Sequence, residues 1–421
     1  MRPTPLRLLG TDVLLAAMGQ GRPNNALFVM ECDGVVAADH LRQALHDLLP
    51  TLPWLDARLE RGWPWGYLRW RPVKHLVAPA VDEVTLGPGD ALTDTLTTLL
   101  NRGIDPRREP PLRVTVVSQP DGRSTLAITW THPLMDPRGV ELLVAMLVAA
   151  ARGDAAWLRA RTIVPPRDPR TLRERLDLAR AALQHLRAIT APPRRSLARG
   201  IAPLGRVRYR HASVPVGSGP ASARTMPARL AAVGQAMTRL WQAHHLPLDE
   251  PFLVPISVDR RRKGEPGPVF CNNVAFHFAR FTPASTANLS AATATIRRGM
   301  AEAVRDGAIE ALYAGTDLFC WQPAWRLLAP FRGGELASFN CADTGAVRPE
   351  VTELFGARVR NAYHVPCVAS SPGVGVFLNR CGDTENVVVV WIEPVLRDDE
   401  ADALLADLTA GLGAQGQAGA A

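Results

Sequence analysis

His132 and Asp136, both in the run THPLMDPRG from Thr131 to Gly139, are the residues of this chain whose types and spacing could do chemistry. An unperturbed imidazole titrates near 6.5, so at neutral pH it can take a proton from one group and hand it to another. A carboxylate four residues away could orient the ring or hold its loop. Other chemistries fit less well. The pair offers two metal ligands at most, and no further His, Cys or Asp lies nearby to complete a tetrahedral set, so no metal is expected. No Gly-x-Ser-x-Gly elbow occurs, which argues against a serine triad. The plain alternative for His132 is a hydrogen-bonded loop residue, because the bare spacing is common.

The flanking residues decide where the ring must sit. STLAITW, Ser124 to Trp130, is apolar and β-prone, and VELLVAMLVAA after Gly139 reads as an apolar helix. His132 is therefore expected where a strand runs out into a loop ahead of a helix. Such a position opens onto solvent or a cleft.

THPLMDPRG resembles the HHxxxDG signature of the acyltransferase superfamily with the chloramphenicol acetyltransferase fold. That superfamily includes nonribosomal-peptide condensation domains, bacterial wax ester synthase/diacylglycerol acyltransferases and polyketide-associated acyltransferases. The last two are closest in pattern. The catalytic second histidine of the signature falls on His132, with Thr131 in place of the first. The signature's aspartate falls on Asp136 and is expected to hold the loop through an arginine ion pair. The DG step becomes Asp136-Pro137-Arg138-Gly139, so a longer or differently shaped loop is expected. Further blocks follow in the family's order. LRQALHDLLPTLPWLDARL resembles a helix ending in the "hPxLR" turn, and PLRVTVVSQPDGRSTLAITWTHPLMD the hairpin into the catalytic loop. FLVPISVDRRRKGEPGPVFCNNVAFHFARF resembles the "PVslR … GN" block. LASFNCADTG resembles the "SN..G" segment that precedes three closing strands.

The resemblance implies an α/β fold with mixed sheets, arranged as two similar subdomains in a V with a tunnel between them. It places Gly139 and Asn273 at the tunnel. Ser338 and Asn340 are candidate donors to a developing oxyanion, and Arg260 is the candidate ion-pair partner of Asp136. It implies acyl transfer from a thioester to a hydroxyl or amine, with His132 as general base. No tightly bound cofactor is implied: acyl-CoA or a phosphopantetheinyl thioester would arrive as donor substrate, with an acyl carrier protein as a partner kept open. Two other readings stay open. One is a condensation enzyme strictly dependent on a separate carrier protein. The other is a non-catalytic relative that only binds a carrier or ligand.

Composition bounds these readings. The 421 residues, 47% hydrophobic, suffice for one large or two medium cores. No run of 18 apolar residues occurs, so no spanning helix is expected. Asp12 interrupts the apolar N-terminal stretch, so no signal peptide is expected. Cys32, Cys271, Cys320, Cys341, Cys367 and Cys381 lack CxxC spacing and read as free thiols of a reducing, cytoplasmic compartment. The net charge of +8, nearly all arginine, suits anionic partners such as a CoA phosphate, an acidic carrier or an acidic membrane surface. Nucleic acid is not expected, since aromatic residues are sparse and no basic helix or zinc-finger spacing occurs.

The chain divides into residues 1–164 with the HxxxD motif, a crossover at 165–210, a second subdomain at 211–412, and a disordered tail at 413–421. The crossover holds an amphipathic helix in which Leu172, Leu176, Leu178, Ala179, Leu183 and Leu186 recur at helical spacing between arginines. A solvated surface helix and peripheral contact with anionic lipid are both open for it. HHLPLDE, His244 to Glu250, matches HHxxxD literally but lacks the glycine and the apolar helix. It reads as a helix C-terminus, where histidines complement the dipole.

Overall fold

In the computed structural model the residues described are 4–18, 24–62, 66–165, 168–190, 196–198, 201, 205–216, 225–262, 264–265, 267–318, 337–369 and 371–417. Cys320 and Leu186 lie outside the described residues or side chains. The frame is two mixed sheets with helices packed on them. The larger sheet has six strands, in the order Glu353–Leu354, Ala357–Val365, Asn25–Asp33, Ser124–Thr131, Leu112–Ser118, Val81–Thr85. The smaller has four, in the order Asn340–Ala346, Val374–Cys381, Thr384–Ile392, Val207–Pro215. A two-stranded ribbon, Phe252–Asp259 with Val274–Phe281, and a three-stranded one near the N-terminus complete the set.

Strand Ser124–Thr131 is buried along its whole length, which explains its continuous apolar run. Leu126, Ile128 and Trp130 point into the core of the first half, while Ala127 faces a second core shared between the two sheets. The turn that delivers this strand from Leu112–Ser118 closes through the Gln119 N–H to Arg123 carbonyl bond of 2.9 Å, with Gly122 at φ +80. Helix Pro137–Ala151 is buried from Gly139 through Ala149, so it is apolar all round because it is central.

The two halves do not separate cleanly along the sequence. Strand Ala357–Val365 leaves the expected second subdomain and pairs antiparallel with Asn25–Asp33 of the first. Val269 and Phe270 also lie in the first half's core. Strand Val207–Pro215 starts inside the expected 165–210 crossover. Helix Asp398–Gln417 takes in the first residues of the tail expected to be irregular, and 418–421 lie outside the described residues.

The crossover helix spans Leu172–Thr190, and its docking face differs from the expected leucine stripe. Ala179 and Ala182 are buried, whereas Leu172 is 64% and Leu176 41% exposed. Helix Ala308–Leu318 is the surface they dock on, and a Cβ at Gly315 would stand 2.8 Å from the Ala182 Cβ. Close helix approach needs small residues at the crossing; Leu178 and Ala179 of the expected stripe lie on the docked side, while Leu172 and Leu176 stay out. No helix among the described residues is long and apolar enough to cross a membrane. Cys32, Cys271, Cys341, Cys367 and Cys381 are free thiols.

Candidate active site

The catalytic-loop candidate starts where strand Ser124–Thr131 ends and turns through a short 3-10 segment, His132–Leu134. Its backbone is held by a different element at each step. The His132 N–H donates to the Asn24 carbonyl at 2.9 Å. The His132 carbonyl accepts from Asn272 Nδ2 at 2.9 Å, and the Pro133 carbonyl from Trp70 Nε1 at 3.4 Å. The Leu134 carbonyl accepts from the Cys271 N–H at 2.9 Å, and the Met135 carbonyl from Trp130 Nε1 at 2.9 Å. Four successive carbonyls in a mostly buried loop would be costly if left unpaired, and here each has a donor. The loop is therefore fixed before any ligand arrives.

Asp136 closes the loop and starts the next helix. Its Oδ1 accepts the Gly139 N–H at 2.8 Å and Arg261 Nη2 at 3.1 Å; its Oδ2 accepts Arg261 Nη1 at 2.9 Å and the Asn273 N–H at 2.9 Å. The carboxylate is an N-cap and an ion-pair partner at once. Pro137 takes the first helical position directly after it.

Arg261, not Arg260, is the partner of Asp136. Strand Phe252–Asp259 ends one residue earlier, and neighbouring side chains leave an extended chain on opposite sides. Arg260 turns to Glu310 at 3.2 Å and lies 3.5 Å over the Tyr313 ring. Arg261 turns inward, also donating to the Pro268 carbonyl at 2.9 Å. Burial alone would lower the pKa of Arg261, but the carboxylate of Asp136 overrides it and holds the value above the ordinary one.

Gly139 has a packing role. A Cβ there would stand 2.2 Å from the Val269 carbonyl oxygen. The glycine lets the helix start press against residues 268–271 of the second half, where Met135 and Cys271 form a parallel bridge. Cys271 has φ +104, a left-handed backbone that glycine adopts more easily, and its thiol is buried. Asn273 contributes its backbone: its N–H goes to Asp136 and its carbonyl accepts from the Arg260 N–H at 3.1 Å.

Sequence reasoning missed Asp12 and, for the "GN" step, chose Asn273 over Asn272. Asn272 is fully buried, and Asp12 lies on helix Gly10–Met18. Asp12 Oδ1 accepts both the Asn272 N–H at 2.7 Å and Asn272 Nδ2 at 2.8 Å, and Oδ2 accepts the Leu9 N–H at 2.7 Å. Burial pushes the Asp12 carboxyl up to about 7, against those three donors. The one available signal was that Asp12 breaks an apolar stretch.

His132 itself is half-buried. Its Nδ1 is sealed from solvent. Burial pulls the ring's pKa below the ordinary histidine value; its own backbone carbonyl, Asp136 and Asn272 pull the other way without cancelling it. The imidazole is therefore neutral at neutral pH, the form that accepts a proton. The Trp130 ring lies 6.5 Å away, tilted 53°.

Other expected site residues lie elsewhere. Ser338 is buried against strand Phe252–Asp259, with its Oγ accepting the Leu253 N–H at 3.1 Å and its own N–H donating to the Leu253 carbonyl at 2.8 Å. Asn340 begins a strand paired with Gly375. Neither hydrogen-bonds to His132 among the described residues. His244 caps helix Met226–Ala243 and pairs with Glu400 at 3.0 Å, and His245 follows with φ +53. That places the literal HHxxxD match at a helix C-terminus.

No protein-family model matches the chain, and no curated protein matches it. Solved structures do. One is the starter condensation domain of rhizomide synthetase RzmA, a double mutant in complex with C8-CoA and Leu-SNAC. It matches with TM-score 0.66 at 13% identity, over 99% of this chain and 95% of that one. TRI3 trichothecene 15-O-acetyltransferase from Fusarium sporotrichioides matches with TM-score 0.70 at 14% identity, over 97% and 95%. The condensation domain from Monacolin K polyketide synthase MokA matches with TM-score 0.64 at 12% identity, over 100% and 99%. The chain thus has a mixed α/β fold like that of these condensation domains and this acetyltransferase.

Proposed function

We propose that the chain is an acyltransferase that moves an acyl group from a thioester to a hydroxyl or amine, with His132 as general base. The seat of His132 carries the reading. A neutral, half-buried imidazole stands on a rigid loop where residues 131–139 of the first half meet residues 268–273 of the second. A C8-CoA complex and an O-acetyltransferase among the structures of this fold support a thioester donor and a nucleophilic acceptor.

In this reading the acceptor's O–H or N–H passes its proton to the ring as its lone pair attacks the thioester carbonyl. The tetrahedral oxyanion collapses, the C–S bond breaks, and the leaving thiolate takes the proton back from the imidazolium. The thioester is already activated, so no covalent enzyme intermediate is required. A tunnel between the halves would bring donor and acceptor in from opposite ends and supply the orientation. Asp136 and Arg261 hold the loop. The donor is acyl-CoA or a phosphopantetheinyl thioester, and no tightly bound cofactor is needed. The exposed Leu172 and Leu176, on a helix bearing arginines, support peripheral contact with anionic lipid as a secondary reading.

The test is a panel. Acetyl, octanoyl and palmitoyl thioesters, each on free CoA and on a loaded carrier protein, are offered with alcohol and amine acceptors, and products are read by mass spectrometry. Product from free CoA supports the proposal as stated. Product only from the loaded carrier favours the carrier-dependent condensation reading. No product across the panel overturns the enzymatic reading in favour of a binding relative.

A further inference from the structure

The crossover helix, Leu172–Thr190, carries apolar side chains that its own fold does not use. A capping box fixes its start. The Thr171 N–H and Oγ1 both donate to Glu174 Oε2, at 2.7 and 2.8 Å, and the Glu174 N–H returns to Thr171 Oγ1 at 3.3 Å. Its inner side is pinned as well. Ala179 and Ala182 pack against Gly315, and Arg175 pairs with Asp317 at 2.8 Å. Just ahead of the helix, Arg170 bonds both Asp168 and Glu310. These anchors set one rotation of the helix about its axis. In that rotation Leu172 and Leu176 are exposed, and Leu183 is half-buried in the same row. Among the described residues they are the only two exposed large apolar side chains that share an element. A second row runs beside them. Arg173, Arg180 and Arg187 recur every seven residues, about two turns, and all three are exposed. The acids of the helix lie beyond that row, away from the leucines. Glu174 is taken up by the cap, and Asp177 pairs with Arg180 at 2.9 Å.

We propose that this edge of the helix seats the protein on an anionic membrane surface, with Leu172 and Leu176 entering the boundary of the acyl chains and Arg173, Arg180 and Arg187 taking lipid phosphates. An anionic bilayer matches both rows at once, because it is apolar just below a layer of negative headgroups. Arginine stems are long enough to reach that layer while the leucines beside them sink past it. A second copy of the chain fits less well, since it would bring the same arginine row and no acidic row to meet it. Two exposed leucines make a marginal anchor, so the contact is reversible and depends on charge. The proposal deepens the lipid-contact reading of this helix and does not require His132 to act as a base.

The test is co-sedimentation of the full chain with vesicles of phosphatidylcholine alone and of phosphatidylcholine mixed with phosphatidylglycerol. Wild type is expected to bind the anionic vesicles at least about tenfold more strongly, and to be released at high salt. Leu172→Ser combined with Leu176→Ser is expected to lower that binding about tenfold or more, with the melting temperature held. Arg173→Gln combined with Arg180→Gln and Arg187→Gln is expected to do the same. Val304→Ser, at an exposed apolar position on another helix, is expected to leave binding unchanged. Binding to neither kind of vesicle, equal binding to both, or binding that either set of substitutions leaves intact overturns the proposal. So does a dimer in sedimentation velocity that the leucine substitutions dissociate, because a second copy then covers the face. Vesicle binding needs no turnover, and His132→Ala is expected to bind as wild type does, so failure here is distinct from failure of acyl transfer.

Discussion

At the scale of single residues, the account rests on two opposite treatments of charge. His132 is kept neutral by burial, while the Asp136 carboxylate is held by four hydrogen bonds, two of them from Arg261. The depressed histidine sets a pH profile. kcat/KM is expected to rise through an apparent pKa below about 6.5 and to stay level above it, as read from initial rates between pH 5 and 8. A midpoint above 7 would contradict the assignment. The paired arginines separate by consequence. Arg261→Met leaves the Asp136 carboxylate buried without its cation and is expected to cost about 3–5 kcal/mol in urea unfolding. Arg260→Met loses a partly exposed pair and is expected to cost about 1 kcal/mol or less. Equal losses would mean that the loop does not depend on the Asp136–Arg261 pair.

At the scale of elements, the site is a joint between a strand end, a helix start and a segment from the other half. Gly139→Ala would push a methyl group into the Val269 carbonyl and part that joint. We expect a loss of about 1–3 kcal/mol in thermal or urea unfolding, together with a fall in activity. A neutral substitution would show that the two elements do not press together. The strand, the central helix and the loop between them were legible in the sequence because each is a local pattern: an apolar run, a proline and a cap before a second run. The partners of the loop were not legible in this way. Three consecutive arginines follow Asp259, and only the place where the strand ends decides which one turns inward. Asn272 and Asp12 are 260 residues apart, and nothing local says that the two meet. Ser338 matched a family step, and in the fold its hydroxyl oxygen accepts a bond from the neighbouring strand, which no local pattern foretells. The crossover helix had the right period, but the face that docks is the one small enough to approach its neighbour.

At the scale of the whole molecule, the two sheets meet through a shared core that also carries polar groups. Asn361 of the six-stranded sheet and Asn386 of the four-stranded one exchange amide bonds at 2.9 and 3.0 Å. His211 Nε2 bonds Asn386 Oδ1 at 2.8 Å, and its ring stacks on Tyr363 at 3.7 Å. Burial brings the His211 pKa down to about 4, with the Asn386 bond opposing. A histidine lowered in the folded state contributes stability that is complete above its unfolded value, near 6.5, and is lost as pH falls toward 4. The melting temperature is therefore expected to drop between pH 6.5 and 4, and to drop less in His211→Phe; equal slopes would remove the seam from the acid response. The same joining of halves brings strand Ala357–Val365 into the first sheet and sets Asn272 beside His132, so the site exists only in the assembled chain. The central claim is that this assembled site transfers acyl groups through one imidazole. Its most direct test compares product formation by wild type and His132→Ala with the same thioester and acceptor, the fold of each being checked by its melting temperature. The account predicts a fall of about 10²–10⁴-fold in kcat/KM with the fold retained. A folded His132→Ala protein that transfers at the wild-type rate would contradict it.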